Sequence, residues 1–194
     1  MTSDQHGHNE GNLPIGNSSV RNYDRISYIL VVDDDNTLLK FFKIHLNKFF
    51  SKVIVVKNAK EAVATFKEKE IDLVLCDIRM PRIDGFQLMR KVRRHDPRIP
   101  VLLISGAMLS SDQETDAEGE ADGFLRKPFS IDELHAFINR GMELRASFVR
   151  LAELLGDRKL LRQVLRGKRK VERLVANDKG EEAKSILAFV KKAG

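Results

Sequence analysis

IDLVLCDIRMPRIDG, residues 71–85, is the stretch whose reading decides the fold. Its opening run, Ile71–Cys76, is rich in Leu and Val and lacks clean polar alternation, as strands buried on both faces do. The run stops at Asp77. Beyond the Pro81 and Gly85 punctuation a helical period takes over, with Phe86, Leu88, Met89 and Val92 at helical spacing.

The same grammar repeats on both sides. Further short apolar runs occur at Ile26–Val32, Val53–Val56, Ile99–Ile104 and Gly123–Leu125. Between them Leu38, Leu39, Phe42 and Leu46 keep helical spacing, as do Ala59, Ala62, Val63 and Phe66. Alternation of this kind predicts a parallel sheet with helices on both sides. Five strands and five helices in about 120 residues fit a flavodoxin-like doubly wound α/β domain, where ligands bind outside the carboxyl ends of the strands. The fourth helical segment is the odd one. Ser110–Glu120 is acidic and nearly devoid of large apolar residues, which predicts a short, weakly anchored helix or a mobile loop.

Three parts follow from this reading. Residues 1–25 are polar, rich in Gly, Asn and Ser, and aperiodic, as a disordered leader is. Residues 26–141 carry the α/β domain. Residues 142–194 form a helical C-terminal extension. In it Phe137, Gly141, Leu144, Phe148, Leu151 and Leu155 alternate spacings of four and three, so the last helix of the domain is expected to run on. Gly156-Asp157 marks a stop and restart. Leu161, Leu165, Val171, Leu174 and Val175 mark a second helix, Asn177-Asp178-Lys179-Gly180 a turn, and Ala183, Ile186, Leu187 and Val190 a third helix.

Charge divides the chain in the same place. The 194 residues carry a formal net charge of +6, but Met142–Gly194 holds 14 Lys+Arg against 7 Asp+Glu, leaving the remainder close to neutral. A basic part favours nucleic acid, an anionic surface or an acidic partner, or else is a solvated helical face. Cys76 is the sole cysteine, which excludes an intrachain disulfide and suits a reducing cytoplasm. No apolar run approaches the ~20 residues of a membrane helix, and the N-terminus lacks a signal pattern, so neither membrane insertion nor export is expected.

The chemistry sits where strands end. The first strand closes on Val31-Val32-Asp33-Asp34-Asp35 and the third on Leu75-Cys76-Asp77. A doubly wound sheet brings both ends to one carboxyl edge, so three or four carboxylates are expected to converge there. Like charges that close need a cation, and Mg²⁺ is the natural one: hard, oxygen-seeking and content with one or two carboxylates plus phosphate. Ser105 closes the fourth strand and Lys127 the fifth, placing a hydroxyl donor and an ammonium at the same edge. Such a set suits in-line attack on phosphorus, where positioning and charge stabilisation supply most of the rate. Taken singly, Asp35, and less readily Asp34, could be a helix cap, Lys127 a surface charge and Ser105 a turn residue; taken together these readings fail. For Cys76, burial in the core is the better reading.

The stretch from Ile29 to about Glu143 resembles the receiver domain of two-component response regulators, of the chemotaxis-response-regulator type. The resemblance rests on four motifs in order: Val31-Val32-Asp33-Asp34; Asp72–Pro81 with Asp84-Gly85; Pro100–Gly106; and Gly123–Phe129. It implies that Asp77 accepts a phosphoryl group from a sensor histidine kinase or a histidine phosphotransfer protein. It implies that Asp33 and Asp34 bind Mg²⁺, one of them through water, together with Asp77 and the backbone carbonyl of Arg79. Lys127 would pair with the phosphoryl group, Ser105 would report on it, and Phe124 stands where the family has an aromatic that swings inward. The Lys127-Pro128 peptide stands where the family holds a cis bond. A receiver of this kind catalyses its own phosphorylation and dephosphorylation without a conventional enzymatic output domain. Two departures stand out: Glu120 where the family commonly has Gly, and Gly106 where Ala is common.

For the extension three outputs stay open. The four-three spacing favours self-association or docking on a helical partner, with a cap folded against the receiver itself close behind. Arg158, Lys159, Arg162 and the run Arg166–Lys170 favour salt-dependent nucleic-acid binding, though without interleaved aromatics. The third is a phosphorelay shuttle with no output of its own.

Overall fold

A computed structural model describes residues 28–106, 121–165 and 179–193. Five parallel strands form one sheet: β1 (Tyr28–Val32), β2 (Lys52–Val56), β3 (Leu73–Asp77), β4 (Val101–Ser105) and β5 (Phe124–Arg126), in the order β2-β1-β3-β4-β5. The helices are α1 (Asn36–Leu46), α2 (Ala59–Glu68), α3 (Gly85–His95), α4 (Ile131–Leu155), α5 (Arg158–Leu165) and α6 (Lys179–Ala193). The order reverses at β1, and β1 and β3 lie side by side with Val32 paired to Cys76. The doubly wound expectation is met. The expected leader, the acidic segment 110–120 and the turn at 177–180, apart from its last two residues, lie outside the described residues.

The missing polar alternation in the strands has its cause in burial on both faces. Leu30, Val32, Val74, Cys76, Val101 and Leu103 join Ala62, Phe66, Phe86, Leu88 and Val92 in one core with α2 and α3. The alternate residues Ile29, Val31, Leu73, Leu75, Leu102 and Ile104 join Leu39, Phe42, Leu46, Leu134 and Ile138 in the other, with α1 and α4. Each fully buried aliphatic or aromatic side chain contributes about 1.5–3 kcal/mol by leaving water.

Helix α4 is fixed at both ends by its sequence. Ser130 Oγ accepts the Glu133 N–H at 3.1 Å, and the Ser130 N–H donates to Glu133 Oε2 at 2.7 Å, a complete capping box. The helix stops at Gly156, whose φ of 68° is left-handed and whose N–H returns to the Ala152 carbonyl. The 25 residues between pass Gly141 and Met142 without a break, so the extension is joined to the sheet domain by helix, not by linker. No helix among the described residues is long and apolar enough to cross a membrane.

The four-three stripe of α4 changes partner as it leaves the sheet. Leu151 packs with Leu161, Val164 and Ala183 in a satellite core, and Leu144 and Phe148 pack with Leu165 and Val190. Helix α6 is further held by Arg150, whose guanidinium reaches Glu182 at 2.6 and 3.0 Å. Arg140 Nη2 donates to the Lys192 carbonyl at 3.0 Å. Phe148 and Leu151, a self-association stripe in sequence, are therefore buried within the chain's own extension.

Two arginines fasten the extension to the sheet domain. Arg145 donates to Asp72 Oδ1 at 3.2 Å and to the Arg98 carbonyl at 3.0 Å, while Asp72 Oδ2 accepts the Tyr28 N–H. Arg162 donates from Nε to the Arg93 carbonyl and from Nη2 to the Arg94 carbonyl, each at 2.9 Å. These carbonyls lie in the last turn of α3, which a helix leaves without internal partners and at the negative end of its dipole.

Two stability predictions follow. Phe148→Ala should lower unfolding free energy by about 3–5 kcal/mol, read by urea denaturation, because the residue is 2 % exposed and packs against Leu144, Leu165 and Val190. Asp96, beyond the end of α3, is the second. Burial alone would raise its carboxyl, but hydrogen bonds from Arg98, with the charges of Arg98 and Arg158, outweigh that and hold it below its usual range. A depressed folded-state pKa means stability that is complete above the unfolded value of about 3.9 and lost as pH falls through the lower folded one. Asp96→Asn should therefore cost about 1–3 kcal/mol at neutral pH, with the gap to wild type closing below about pH 4.

Candidate functional site

The carboxyl edge of the sheet gathers one side chain from each of three strands or their exits. Asp33 follows β1, Asp77 ends β3 and Lys127 follows β5. Lys127 Nζ stands 2.6 Å from Asp77 Oδ1 and 3.0 Å from Asp33 Oδ2. Asp33 is 2 % exposed and Asp77 7 %. One ammonium thus holds two buried carboxylates together, and the trio keeps an excess negative charge.

Backbone donors fix the remaining oxygens. The Asp35 N–H donates to Asp33 Oδ1 at 2.8 Å, and the Arg79 N–H to Asp77 Oδ2 at 2.7 Å. Asp35 itself accepts the Thr37 and Leu38 N–H groups as the N-cap of α1, and these hydrogen bonds hold its carboxyl below its ordinary value. Burial pushes the Asp77 carboxyl up, against the opposing hydrogen bond and charge of Lys127. Burial would lower Lys127, but its hydrogen bonds to Asp77 and Asp33 prevail and raise it, so it stays an ammonium at neutral pH.

The surrounding positions fall into place unevenly. Ser105, 1 % exposed, closes β4, and its carbonyl accepts the Lys127 N–H at 2.7 Å, so the strand that carries the hydroxyl also positions the lysine. The Lys127-Pro128 peptide is cis. Phe124 is half-buried against the core shared by α2 and α3. Cys76 points into that core, as expected, and burial, with the neighbouring Asp77 charge, pushes its thiol well above its usual value. Asp34 is exposed beside the pair.

At this edge Asp33 and Asp77 are buried, and Asp34 is exposed beside them. Among the described residues no three Asp, Glu, His or Cys side chains form a ready cage. Two buried carboxylates meet, and Lys127 already neutralises part of their repulsion. An all-oxygen set of this size nevertheless fits Mg²⁺, which keeps several waters and takes one or two carboxylates rather than a closed protein cage. It does not fit a soft, thiolate-seeking metal.

Sequence reasoning missed three structural contributors. The N–H groups of Asp35 and Arg79 orient the carboxylates, and no side-chain pattern signals a backbone donor. Gly85, at the start of α3, lies so close to the end of β3 that a Cβ would stand 2.6 Å from the Asp77 carbonyl oxygen and 2.9 Å from Ile78 Cα. Its N–H donates to the Ile78 carbonyl at 2.9 Å. The Asp84-Gly85 pair was visible in sequence, and Asp84 does cap the helix through the Gln87 N–H. Both obstructing atoms are backbone, so Gly85→Ala should force the β3–α3 loop away from Asp77 and lower stability by about 1–3 kcal/mol in urea denaturation.

Comparison with known proteins gives this geometry a family. Residues 29–139 match the response regulator receiver domain model. The chain is 34 % identical over 119 residues to the transcriptional regulatory protein TrcR of Mycobacterium tuberculosis, covering 61 % of this chain and 46 % of that protein. It is 31 % identical over 113 residues to the transcription factor SKN7 of Candida albicans, covering 58 % of this chain and 20 % of that one. The chain thus spans less than half the length of these relatives. Among solved structures, one described as an adenylate cyclase from Rhodopirellula baltica is similar at TM-score 0.61 and 31 % identity, covering 68 % of this chain and 98 % of that one. The receiver domain of a sensor histidine kinase from Pseudomonas aeruginosa, with a magnesium ion in its active-site cleft, is similar at TM-score 0.54 and 25 % identity, covering 60 % and 98 %. With its parallel sheet in the order β2-β1-β3-β4-β5 and Asp33, Asp77 and Lys127 joined at its carboxyl edge, the chain belongs to the receiver domain family of two-component response regulators.

Proposed function

We propose that Asp77 accepts a phosphoryl group from a phosphohistidine of a sensor histidine kinase or a histidine phosphotransfer protein, in the cytoplasm, and that the helical extension carries the signal onward to a protein partner. The observation that carries the first half is the Lys127 bridge, which fixes a buried carboxylate at a strand end between a second carboxylate and an ammonium. An Asp77 oxygen attacks phosphorus, the P–N bond breaks, and the imidazole nitrogen leaves with the electron pair and takes up a proton. The product is an acyl phosphate, which water later cleaves to restore the carboxylate.

Each neighbour has a part in that exchange. Lys127 moves its charge from the Asp77 carboxylate toward the phosphoryl oxygens, where negative charge spreads in the transition state. Asp33, Asp34, Asp77 and the Arg79 carbonyl are the groups that would hold Mg²⁺, whose charge neutralises the phosphoryl oxygens when bound. Ser105 donates its hydroxyl to the transferred group, and Phe124 follows it inward.

For the extension, docking on a protein is favoured over binding nucleic acid by what Arg162 does. A member of the basic stretch, it is committed to two carbonyls of α3 rather than held out to solvent. The residues Arg166–Lys170 lie outside the described region.

Labelling with acetyl phosphate or a phosphorylated kinase checks the chemistry. Wild type should incorporate phosphate only with Mg²⁺, Asp77→Asn should incorporate none, and Lys127→Ala should slow incorporation by about tenfold or more. Undiminished labelling of Asp77→Asn would place the phosphoacceptor elsewhere.

A further inference from the structure

Helix α3 touches the Asp77 backbone at its start and the extension at its end. At its start, Gly85 rests on the Asp77 and Ile78 backbone with no room for a Cβ, so the helix cannot stay still if that strand end moves. The loop between them is equally bound to the carboxylate, through the Arg79 N–H on Asp77 Oδ2. Esterification of either Asp77 oxygen withdraws an acceptor that Lys127 or Arg79 now uses. Along its length α3 is anchored as a rigid body by Phe86, Leu88, Met89 and Val92, all buried.

At its end α3 is read by the extension. Arg162 of α5 grips the Arg93 and Arg94 carbonyls with two donors, a contact that depends on the placement of both carbonyls. Arg93 in turn sends its guanidinium to the buried Asp122 at 2.8 Å, and Asp122 Oδ2 accepts the Val101 N–H at the start of β4. The helix end is thus tied to the sheet on one side and to the extension on the other. Met142, at the head of the extension, packs against the receiver core, whereas beside the end of α3 the junction is polar. A cavity of about 400 Å³ lies there, lined by His95, Asp96 and Arg98 of the receiver and by Arg145 and Arg158 of the extension.

From this geometry we infer that the extension senses the state of Asp77 through α3, the Arg162 grip on its terminal carbonyls being the contact that releases. The inference rests on the phosphoacceptor reading of Asp77. Phosphorylation shifts the β3–α3 loop, α3 moves as a unit, its last carbonyls leave the Arg162 fork, and α5 with α6 loosens from the receiver. Arg162 is a positioning residue and touches none of the reacting atoms.

Hydrogen exchange on the full chain, with Mg²⁺ and beryllofluoride as the phosphoryl mimic, tests it, while fluorine resonance reports mimic binding separately. In wild type, beryllofluoride should raise amide exchange across residues 158–165 and 179–193 about tenfold or more. In Arg162→Ala those amides should already exchange fast without the mimic and change little with it, while mimic binding is retained. Arg162→Lys, which keeps the charge but loses the fork, should behave like the alanine variant. Bound beryllofluoride with unchanged exchange in wild type would overturn the relay and leave the phosphoacceptor reading standing. So would a full response surviving in Arg162→Ala. Failure of beryllofluoride to bind would overturn both.

Discussion

Two carboxylates buried at the ends of adjacent strands repel, and one lysine answers them. Asp77 is held in the sheet by its pairing with Ile104 of β4, and the Asp33 N–H donates to the Val56 carbonyl of β2, so the backbone of each is fixed at this edge. Lys127 arrives from the far side, carried by β5 and by the Ser105 carbonyl that holds its N–H. The arrangement is electrostatically incomplete: one ammonium against two buried carboxylates, with exposed Asp34 adding to the deficit. A buried charge imbalance is costly in a folded core and persists where function uses it. Here it leaves the edge of the sheet attractive to a divalent cation and the group it accompanies.

That edge also sets the mechanical starting point of the molecule. The backbone of β3 runs from Asp77 into Ile78, against which Gly85 lies in direct contact. Any demand for a side chain at position 85 meets main-chain atoms that have no rotamer to change. Tight packing of this kind transmits displacement instead of absorbing it. The opposite end of α3 is held differently, by hydrogen bonds to a guanidinium beside a polar cavity. Rigid at the site and polar at the junction, the helix is built to move as one piece and to be felt where it ends.

The sheet domain was legible because its signals are local. Apolar runs without alternation gave the strands, Asp35 gave a cap, and the Asp33, Asp77 and Lys127 positions fell at strand ends that a parallel sheet must align. Gly156 stopped α4 where the turn signal lay, and the third helix of the extension formed around Ala183. What stayed hidden depends on distance along the chain. The Asp72–Arg145 pair spans 73 residues and the Arg162 grip on Arg93 spans 69, and nothing in the local pattern of either partner announces the other. Phe148 and Leu151 show the converse failure. A four-three stripe specifies that a helix face is covered, not which chain covers it.

The same reasoning explains why the basic character of the extension is a poor guide to its partner. Guanidinium groups have two uses at a helix C-terminus: they satisfy carbonyls that have no internal acceptor role, and they oppose the negative end of the dipole. Arg162 does both for α3, while Arg145 binds the Arg98 carbonyl in the loop beyond it and also meets Asp72. An apolar seam at this junction would bury more area and hold more tightly, but it would respond weakly to a small rotation of α3. A forked hydrogen bond loses strength steeply with misalignment. Holding α5 to the end of α3 through an arginine fork rather than leucines therefore trades some strength for sensitivity to position, and it does so at the end of the helix that begins beside Asp77.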